Sequence, residues 1–127
     1  MDTQELHDRG LKLRREMVGA AAVESRVAAL GEFGAPLQHI INAYAYGDVW
    51  SRGTVPPATK SLAMIAMMAA AGRAAELRVH LKGALKNGCP AEEIREILLL
   101  VALYCGIPTA NEAHKAAVEV LGEAAAG

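Results

Sequence analysis

The chain has 127 residues, with 13 basic and 14 acidic side chains, a formal net charge of −1 and 53% hydrophobic residues. A chain of this length can bury a core of its own, so we predict a single domain over residues 1–127. The balanced charge and the scattered basic residues argue against a nucleic-acid partner. The polar start and the lack of a long apolar run predict a cytoplasmic protein that does not enter a membrane.

Apolar residues recur at helical spacing almost throughout the chain, and the alternation typical of strands is not sustained. We therefore predict an all-α fold with breaks at glycine and proline. The predicted helices run from Asp2 or Thr3 to about Met17, from about Ala21 to Glu32, from Pro36 through GDVW to near Arg52, from Pro57 to about Ala71, from Arg73 to Asn87, from Pro90 to Cys105, and from Pro108 onward.

The helix ATKSLAMIAMMAAAG is apolar on every side beyond Lys60 and Ser61. A helix without a polar face must be covered all round, and so small a domain achieves this most easily by packing the helix against other subunits. Its methionines are then core and interface residues. Gly72 ends this helix and the next one begins at once, which predicts a tight antiparallel helix hairpin at the centre of the fold.

A polar stripe on the second helix of this hairpin is the strongest candidate for chemistry. Glu76 and His80 lie one turn apart and can touch, and Arg73 falls at nearly the same helical angle. A carboxylate beside an imidazole can fix its tautomer and tune a proton donor. The alternative interpretation is an exposed helix face with one ion pair, and the spacing alone does not decide between the two.

Other reactive side chains are weaker candidates. His7 lies in the polar first helix and is predicted to be exposed. In the GDVW block we expect a buried Trp50 beside an Asp48 that caps a helix or pairs with an arginine. Cys89 and Cys105 are too far apart for a CxxC redox pair or a metal-ligand spacing, so we predict no metal site.

Three sequence blocks, GDVWSR, ELRVH and YCGIPTAN, follow one another in a match that extends roughly from Leu11 to Leu121. Together they resemble the carboxymuconolactone decarboxylase family. Related proteins of the alkylhydroperoxidase-D (AhpD) type have a CxxC motif followed by a histidine. In this chain Glu76 stands at the second-cysteine position and His80 at the histidine position, so thiol redox chemistry is not expected.

The resemblance implies an AhpD-like helical bundle in a ring-like homo-oligomer, commonly a hexamer built as a trimer of dimers. It also implies decarboxylation of 4-carboxymuconolactone, a small carboxylated lactone, to an enol-lactone in the β-ketoadipate pathway of aromatic catabolism. No cofactor is needed, because the lactone carbonyl can accept the electrons released with CO2. On this interpretation the catalytic pair is His80, the proton donor, and Glu76, which orients it; the substrate-binding residues are Arg52, Lys60, Arg73 and Tyr44.

The chain also departs from the pattern of the decarboxylases. It has Tyr44 and Tyr46 where they have a histidine and a tryptophan, Gly53 where they have a proline, and a less basic start to the apolar helix. These differences leave open a less charged lactone or an aromatic-derived acid as the substrate. Two other classes stay open as well: an isomerase or hydrolase that uses His80 as acid and base, and a non-catalytic helical assembly protein.

Overall fold

The structure is a computed structural model that describes residues 2–127. These residues form seven α-helices, one π-helix and no strand, which confirms the predicted all-helical class. In chain order the elements are α1 Thr3–Val18, α2 Ala20–Leu30, α3 Ala35–Ile40, the π-helix Ile41–Trp50, α4 Pro57–Ala70, α5 Ala74–Lys86, α6 Ala91–Cys105 and α7 Ile107–Ala126. None of these helices is both long and apolar enough to cross a lipid bilayer.

Local sequence explains where several helices begin and end. The Asp2 carboxylate accepts a hydrogen bond from the backbone N–H of Glu5 at 2.8 Å and caps α1. Pro57 occupies the first turn of α4, where its missing N–H would have no helical partner. The turn after α4 contains Gly72 at φ 70°, a left-handed conformation that favours glycine.

The described residues divide into two compact units, with the boundary between Val55 and Pro56. The first unit contains α1, α2, α3 and the π-helix. The second unit contains α4, α5, α6 and α7. That residues 1–127 act as one domain stays a prediction.

In the first unit, α1 lies directly on the backbone of the π-helix. A β-carbon at Gly10 would overlap the carbonyl of Asn42, and one at Gly47 would overlap the carbonyl of Leu6. Both glycines are buried. Since any side chain would push the two backbones apart, glycine is required on both sides of this crossing.

The segment after Pro36 differs from its prediction. We expected one ordinary helix to near Arg52, whereas the structure changes from α to π geometry after Ile40 and keeps it for 10 residues. A π-helix pairs each N–H one residue further back than an α-helix does and is rare over such a length. Apolar spacing did not separate the two geometries because both present the same residue types to a neighbour.

In the second unit, the four helices pack around one core. The core residues are Ile65, Ala69, Leu77, Leu81, Ala84, Cys89, Ile94, Leu98, Val101, Ala113, Ala116, Ala117 and Val120. From α4 only the face of Ser61, Ile65 and Ala69 is buried. We predicted that further subunits cover its other faces, and this stays a prediction. The antiparallel arrangement of α4 and α5 also stays a prediction.

Candidate functional site

Helix α5 carries both predicted catalytic residues. Glu76 is exposed in its first turn, and His80 follows one turn later and is half-buried. Leu77 and Leu81, on the neighbouring face, are buried in the core. His80 therefore lies on the flank of α5, between the core side and the exposed side, where an imidazole is held by its surroundings without being sealed in.

The predicted polar stripe required Arg73 to lie within α5, but the structure places it outside that helix. It is the N-cap residue, with φ −95° and ψ 75°, and the helix begins at Ala74. Its side chain lines a cavity of about 330 Å³ in the second unit. The cavity is lined by Met68, Ala69, Gly72, Arg73, Ala74, Leu77, Pro108, Thr109, Glu112 and Ala113. Most of these residues are apolar, and neither Glu76 nor His80 is among them.

The charges at this cavity favour an anionic group beside Arg73. Among residues 2–127, the Arg73 guanidinium has no hydrogen-bond or ion-pair partner. The second charge, Glu112, is partly offset by Lys115 at 3.3 Å. A guanidinium presents several N–H donors that match a carboxylate, so the cavity can receive an acid whose body is apolar.

Lys60 is half-buried in the first turn of α4. Its neighbour Ser61 is buried and accepts a hydrogen bond from the side chain of Asn87 at 2.9 Å. This bond ties the end of α5 to the start of α4, and so fixes the backbone from which Lys60 extends.

The other two predicted substrate-binding residues, Arg52 and Tyr44, belong to the first unit. Arg52 follows the π-helix and pairs with Asp48 at 3.0 Å, which confirms the expected pairing of that aspartate with an arginine. Tyr44 is exposed. Tyr46 is the buried tyrosine of this segment; it stacks on the half-buried Trp50 with 6.1 Å between ring centroids, and burial raises the pKa of its hydroxyl.

The cysteines are free thiols in different surroundings. Cys105 is exposed, whereas Cys89 is buried and its Sγ donates to the carbonyl oxygen of Ala58 at 3.3 Å. Burial, and then the Glu93 carboxylate, raise the pKa of Cys89, which disfavours the thiolate that nucleophilic chemistry needs. Within residues 2–127, no three His, Cys, Asp or Glu side chains converge to form a metal-binding group.

A buried polar cluster in the first unit was missed by the sequence analysis. Arg14 is only 4% exposed and donates to Gln38 and Asn42. Its position in α1 contained a signal, because Arg14 lies between Gly10 and Met17 on the buried face of that helix. A charged residue at a buried helical position requires partners inside the protein.

His7 is also placed differently from its prediction. It is half-buried and stacks on His39, with 5.2 Å between ring centroids. Its Nδ1 atom is buried and has no hydrogen-bond partner in the part of the chain that the structure describes.

The described residues define a small all-helical protein, in which His80 lies on the flank of α5 and Arg73, the N-cap residue of that helix, lines an apolar cavity. Comparison with known proteins gives the family. The model of the carboxymuconolactone decarboxylase family matches residues 35–119, and the chain belongs to this family.

Two similar proteins are decarboxylases by name. The 4-carboxymuconolactone decarboxylase of Acinetobacter baylyi is 38% identical over 94% of this chain and 90% of its own length. The nitrosuccinic acid decarboxylase npaB of Metarhizium robertsii is 35% identical over 85% of this chain and 76% of its own length. A third relative, peroxisomal protein 2 of Schizosaccharomyces pombe, is 40% identical over 56% of this chain and 35% of its own length. The chain is a carboxy-lyase.

Proposed function

We propose that this protein decarboxylates 4-carboxymuconolactone, or a closely related carboxylated lactone, to the enol-lactone of the β-ketoadipate pathway without a cofactor. The observation that carries the proposal is the similarity to the decarboxylase of Acinetobacter baylyi, which extends over 94% of the chain. Arg73 lines an apolar cavity and has no hydrogen-bond or ion-pair partner in the described part of the chain, which supports an acidic substrate with an apolar ring.

The reaction needs little from the protein beyond binding and one proton. The bond between the ring carbon and the departing carboxylate breaks, and its electron pair moves through the ring double bond into the lactone carbonyl. The resulting dienolate takes a proton at the carbon next to that carbonyl, which gives the enol-lactone. The protein must therefore bind the retained carboxylate, stabilise the developing oxyanion and supply the proton.

We assign the proton to His80, because an imidazole can give and regain a proton near neutral pH. Glu76, one turn earlier on α5, orients the ring and favours its charged form. Arg73 binds the retained carboxylate. It precedes His80 by seven positions, which corresponds to about 10 Å along a helix axis, so the group it binds is separated from the carbon that is protonated.

Arg52, Lys60 and Tyr44 remain proposed substrate-binding residues. The two cations suit a diacid, and a tyrosine hydroxyl can donate a hydrogen bond to a carboxylate or a lactone oxygen. Arg52 is already paired with Asp48, so its guanidinium would contact both the substrate and the Asp48 carboxylate.

A second candidate substrate is nitrosuccinic acid, favoured by the similarity to the decarboxylase of Metarhizium robertsii. In that acid the departing carboxylate is attached to the carbon that bears the nitro group. The nitro group accepts the electron pair as the lactone carbonyl does, and the same carbon then takes a proton. Both acids supply their own electron acceptor, and the roles of Arg73 and His80 would be the same.

We further propose that the protein works as a ring-like homo-oligomer, a hexamer built as a trimer of dimers. Support comes from an apolar surface at the end of α6, where Leu103 is 74% and Tyr104 80% exposed. Leu99, Leu100 and Ile107 extend this surface. A contiguous exposed apolar surface of this kind is typical of a contact between subunits.

The experiment that tests the function is an assay of the purified, metal-stripped protein with each of the two acids. Substrate loss is followed by ultraviolet absorbance and CO2 release is measured in parallel, with a His80→Asn variant as the matched control. The main proposal is supported if the unsubstituted protein turns over 4-carboxymuconolactone and the His80→Asn variant does not. Turnover of nitrosuccinic acid alone favours the second candidate, and a folded protein that acts on neither contradicts both.

A further inference from the structure

The first unit contains a cavity that the proposed reaction does not use. Its volume is about 400 Å³, within the range of small-molecule pockets. The lining residues are His7, Leu11, Arg15, Val23, Glu24, Val27, Ala28, Gly31, Ala35, Gln38 and Asn42. We call it the first-unit cavity. Its wall is largely apolar, and its polar lining residues include the two buried amides of Gln38 and Asn42.

Arg14 fixes the orientation of these two amides. Its Nη1 atom donates to Gln38 Oε1 at 2.7 Å and to Asn42 Oδ1 at 3.1 Å. An arginine has donors and no acceptor, so both amides must turn their oxygen atoms towards it. Their NH2 groups are consequently directed away from Arg14 and remain available as donors.

These NH2 groups reach open space. Gln38 and Asn42 are 6% and 3% exposed, and within residues 2–127 neither amide nitrogen has a hydrogen-bond partner. The one fully buried side-chain polar atom without a partner in the same residues is Nδ1 of His7. The amide nitrogens are therefore not sealed in protein, and because both residues line the first-unit cavity, their donors are open to a molecule inside it.

Within residues 2–127, the charge of Arg14 has no anionic hydrogen-bond or ion-pair partner. Its described partners are the two neutral amides and the ring of Tyr46, whose centroid lies 5.9 Å from the Arg14 Cζ. Burial is the largest influence on the pKa of Arg14 and lowers it, yet a guanidinium stays protonated in proteins. Buried charges are normally paired, so the positive potential behind the amides favours a negative group in the cavity.

From this arrangement we infer that the first-unit cavity is a second binding site, which takes a small organic carboxylate with an apolar body. The carboxylate accepts hydrogen bonds from the amide NH2 groups of Gln38 and Asn42. The apolar body packs on Leu11, Val23 and Val27. Arg15 and Glu24, which are 3.9 Å apart, stand at the cavity as an ion pair and add little net charge. This site is independent of the proposed reaction and lies in a different unit from His80 and Arg73.

Benzoate is a suitable probe, with benzamide as the neutral molecule of the same shape. Isothermal titration calorimetry of the full chain should detect benzoate binding, and benzamide should bind at least about tenfold more weakly, because it cannot match the donors and the positive potential. Equal affinity for the two probes, or no benzoate binding, would overturn the inference.

Two substitutions locate the binding. Ala28→Phe fills the cavity from α2 without removing a hydrogen bond, and should weaken benzoate binding at least about tenfold. The matched control is Ala29→Phe, the same change at the next position of α2, which is exposed and does not line the cavity. It should leave the affinity within about twofold. Equal effects of the two substitutions, or none from Ala28→Phe, would contradict the assignment.

Gln38→Glu tests the donor role without loss of the Arg14 contact. The new carboxylate keeps an oxygen for Arg14 and supplies the missing anion, while the NH2 donor disappears. Benzoate binding should fall at least about tenfold and the protein should remain folded. Because benzoate could also bind beside Arg73, the titration is repeated with Arg73→Ala. Unchanged benzoate binding by Arg73→Ala supports the first-unit cavity as the site. Loss of binding would show that benzoate binds beside Arg73 in the second unit, and would overturn the inference.

Discussion

Arg9 of α1 donates two hydrogen bonds to the carbonyl oxygen of Gly47, from Nη2 at 2.6 Å and from Nε at 3.1 Å. The hydroxyl of Ser51 donates to the same oxygen at 2.6 Å. This carbonyl lies in the last turn of the π-helix, where backbone oxygens have no helical N–H to pair with. Side chains take the place of the missing N–H groups, and one of them comes from another helix.

Replacing Arg9 should therefore destabilise the first unit. We expect Arg9→Ala to lower the free energy of unfolding by about 1–2 kcal/mol, because a partly buried carbonyl loses two charge-assisted donors. Urea denaturation at fixed protein concentration measures the change. Lys12→Ala, an exposed position one turn later on α1, serves as control and should stay within about 0.5 kcal/mol. Equal losses for both variants would show that the Gly47 contact contributes nothing.

The backbone crossing gives a sharper prediction. Gly10→Ala places a methyl group against the backbone of Asn42, which cannot move as a flexible side chain can. We expect a loss of about 3 kcal/mol or more, at the upper end of overpacking effects, seen as a lower thermal midpoint. Gly53→Ala is the control, because a β-carbon there meets nothing within 4 Å. A Gly10→Ala variant as stable as this control would mean that α1 does not approach the π-helix so closely.

Much of the fold follows from local sequence rules. Proline positions 57 and 90, with glycines such as Gly72, mark helix limits to within a few residues. The π-helix was not predicted from its own residues, and its contacts with Gly10 and Arg9 of α1 join segments that are distant in sequence. Arg73 was assigned to a helical stripe, but it stands at the N-cap of α5 and lines the cavity.

The proposed site was only partly predictable for a related reason. Sequence spacing brings Glu76 and His80 to one side of α5, but it does not show which surfaces are open. The first-unit cluster around Arg14 was missed because an arginine in a charged first helix is ordinarily exposed. Its partners, Gln38 and Asn42, come from later segments, so only the folded unit brings the three side chains together.

His80→Asn should reduce turnover by about a hundredfold to ten-thousandfold, the usual contribution of a positioned acid or base. The thermal midpoint should change little, since His80 is half-buried and outside the core. Initial rates are measured at saturating substrate. Glu76→Gln should cause a smaller loss, because it acts through His80. Retained turnover in His80→Asn, or a loss explained by unfolding, would remove His80 from the reaction.

Arg73→Ala should raise KM for the acidic substrate by about tenfold or more, as expected for the loss of a charge-assisted hydrogen bond. The effect on kcat should be smaller if Arg73 binds the retained carboxylate equally before and during the reaction. Arg95→Ala, on the exposed face of α6, is the charge-matched control. A KM that rises equally in both variants, or that does not rise in Arg73→Ala, would contradict carboxylate binding by Arg73.

Leu103→Glu should dissociate the proposed oligomer. A carboxylate placed within a covered apolar contact would be buried without a partner, so light scattering after size-exclusion chromatography should give a smaller mass than for the unsubstituted protein. Ala91→Glu, at the opposite end of α6 and beside Glu92 and Glu93, adds the same charge at an exposed position. An unchanged mass for Leu103→Glu would exclude this surface from the assembly.

The π-helix also makes the first unit unusually sensitive to the number of residues it contains. Removing one residue between Ile41 and Trp50 would let the segment wind as an α-helix, and everything after the deletion would rotate by about 100° about the helix axis. Gly47 would no longer meet α1, and the Asp48–Arg52 pair would turn to a different side. In this segment, the count of residues constrains the protein as strongly as their identity.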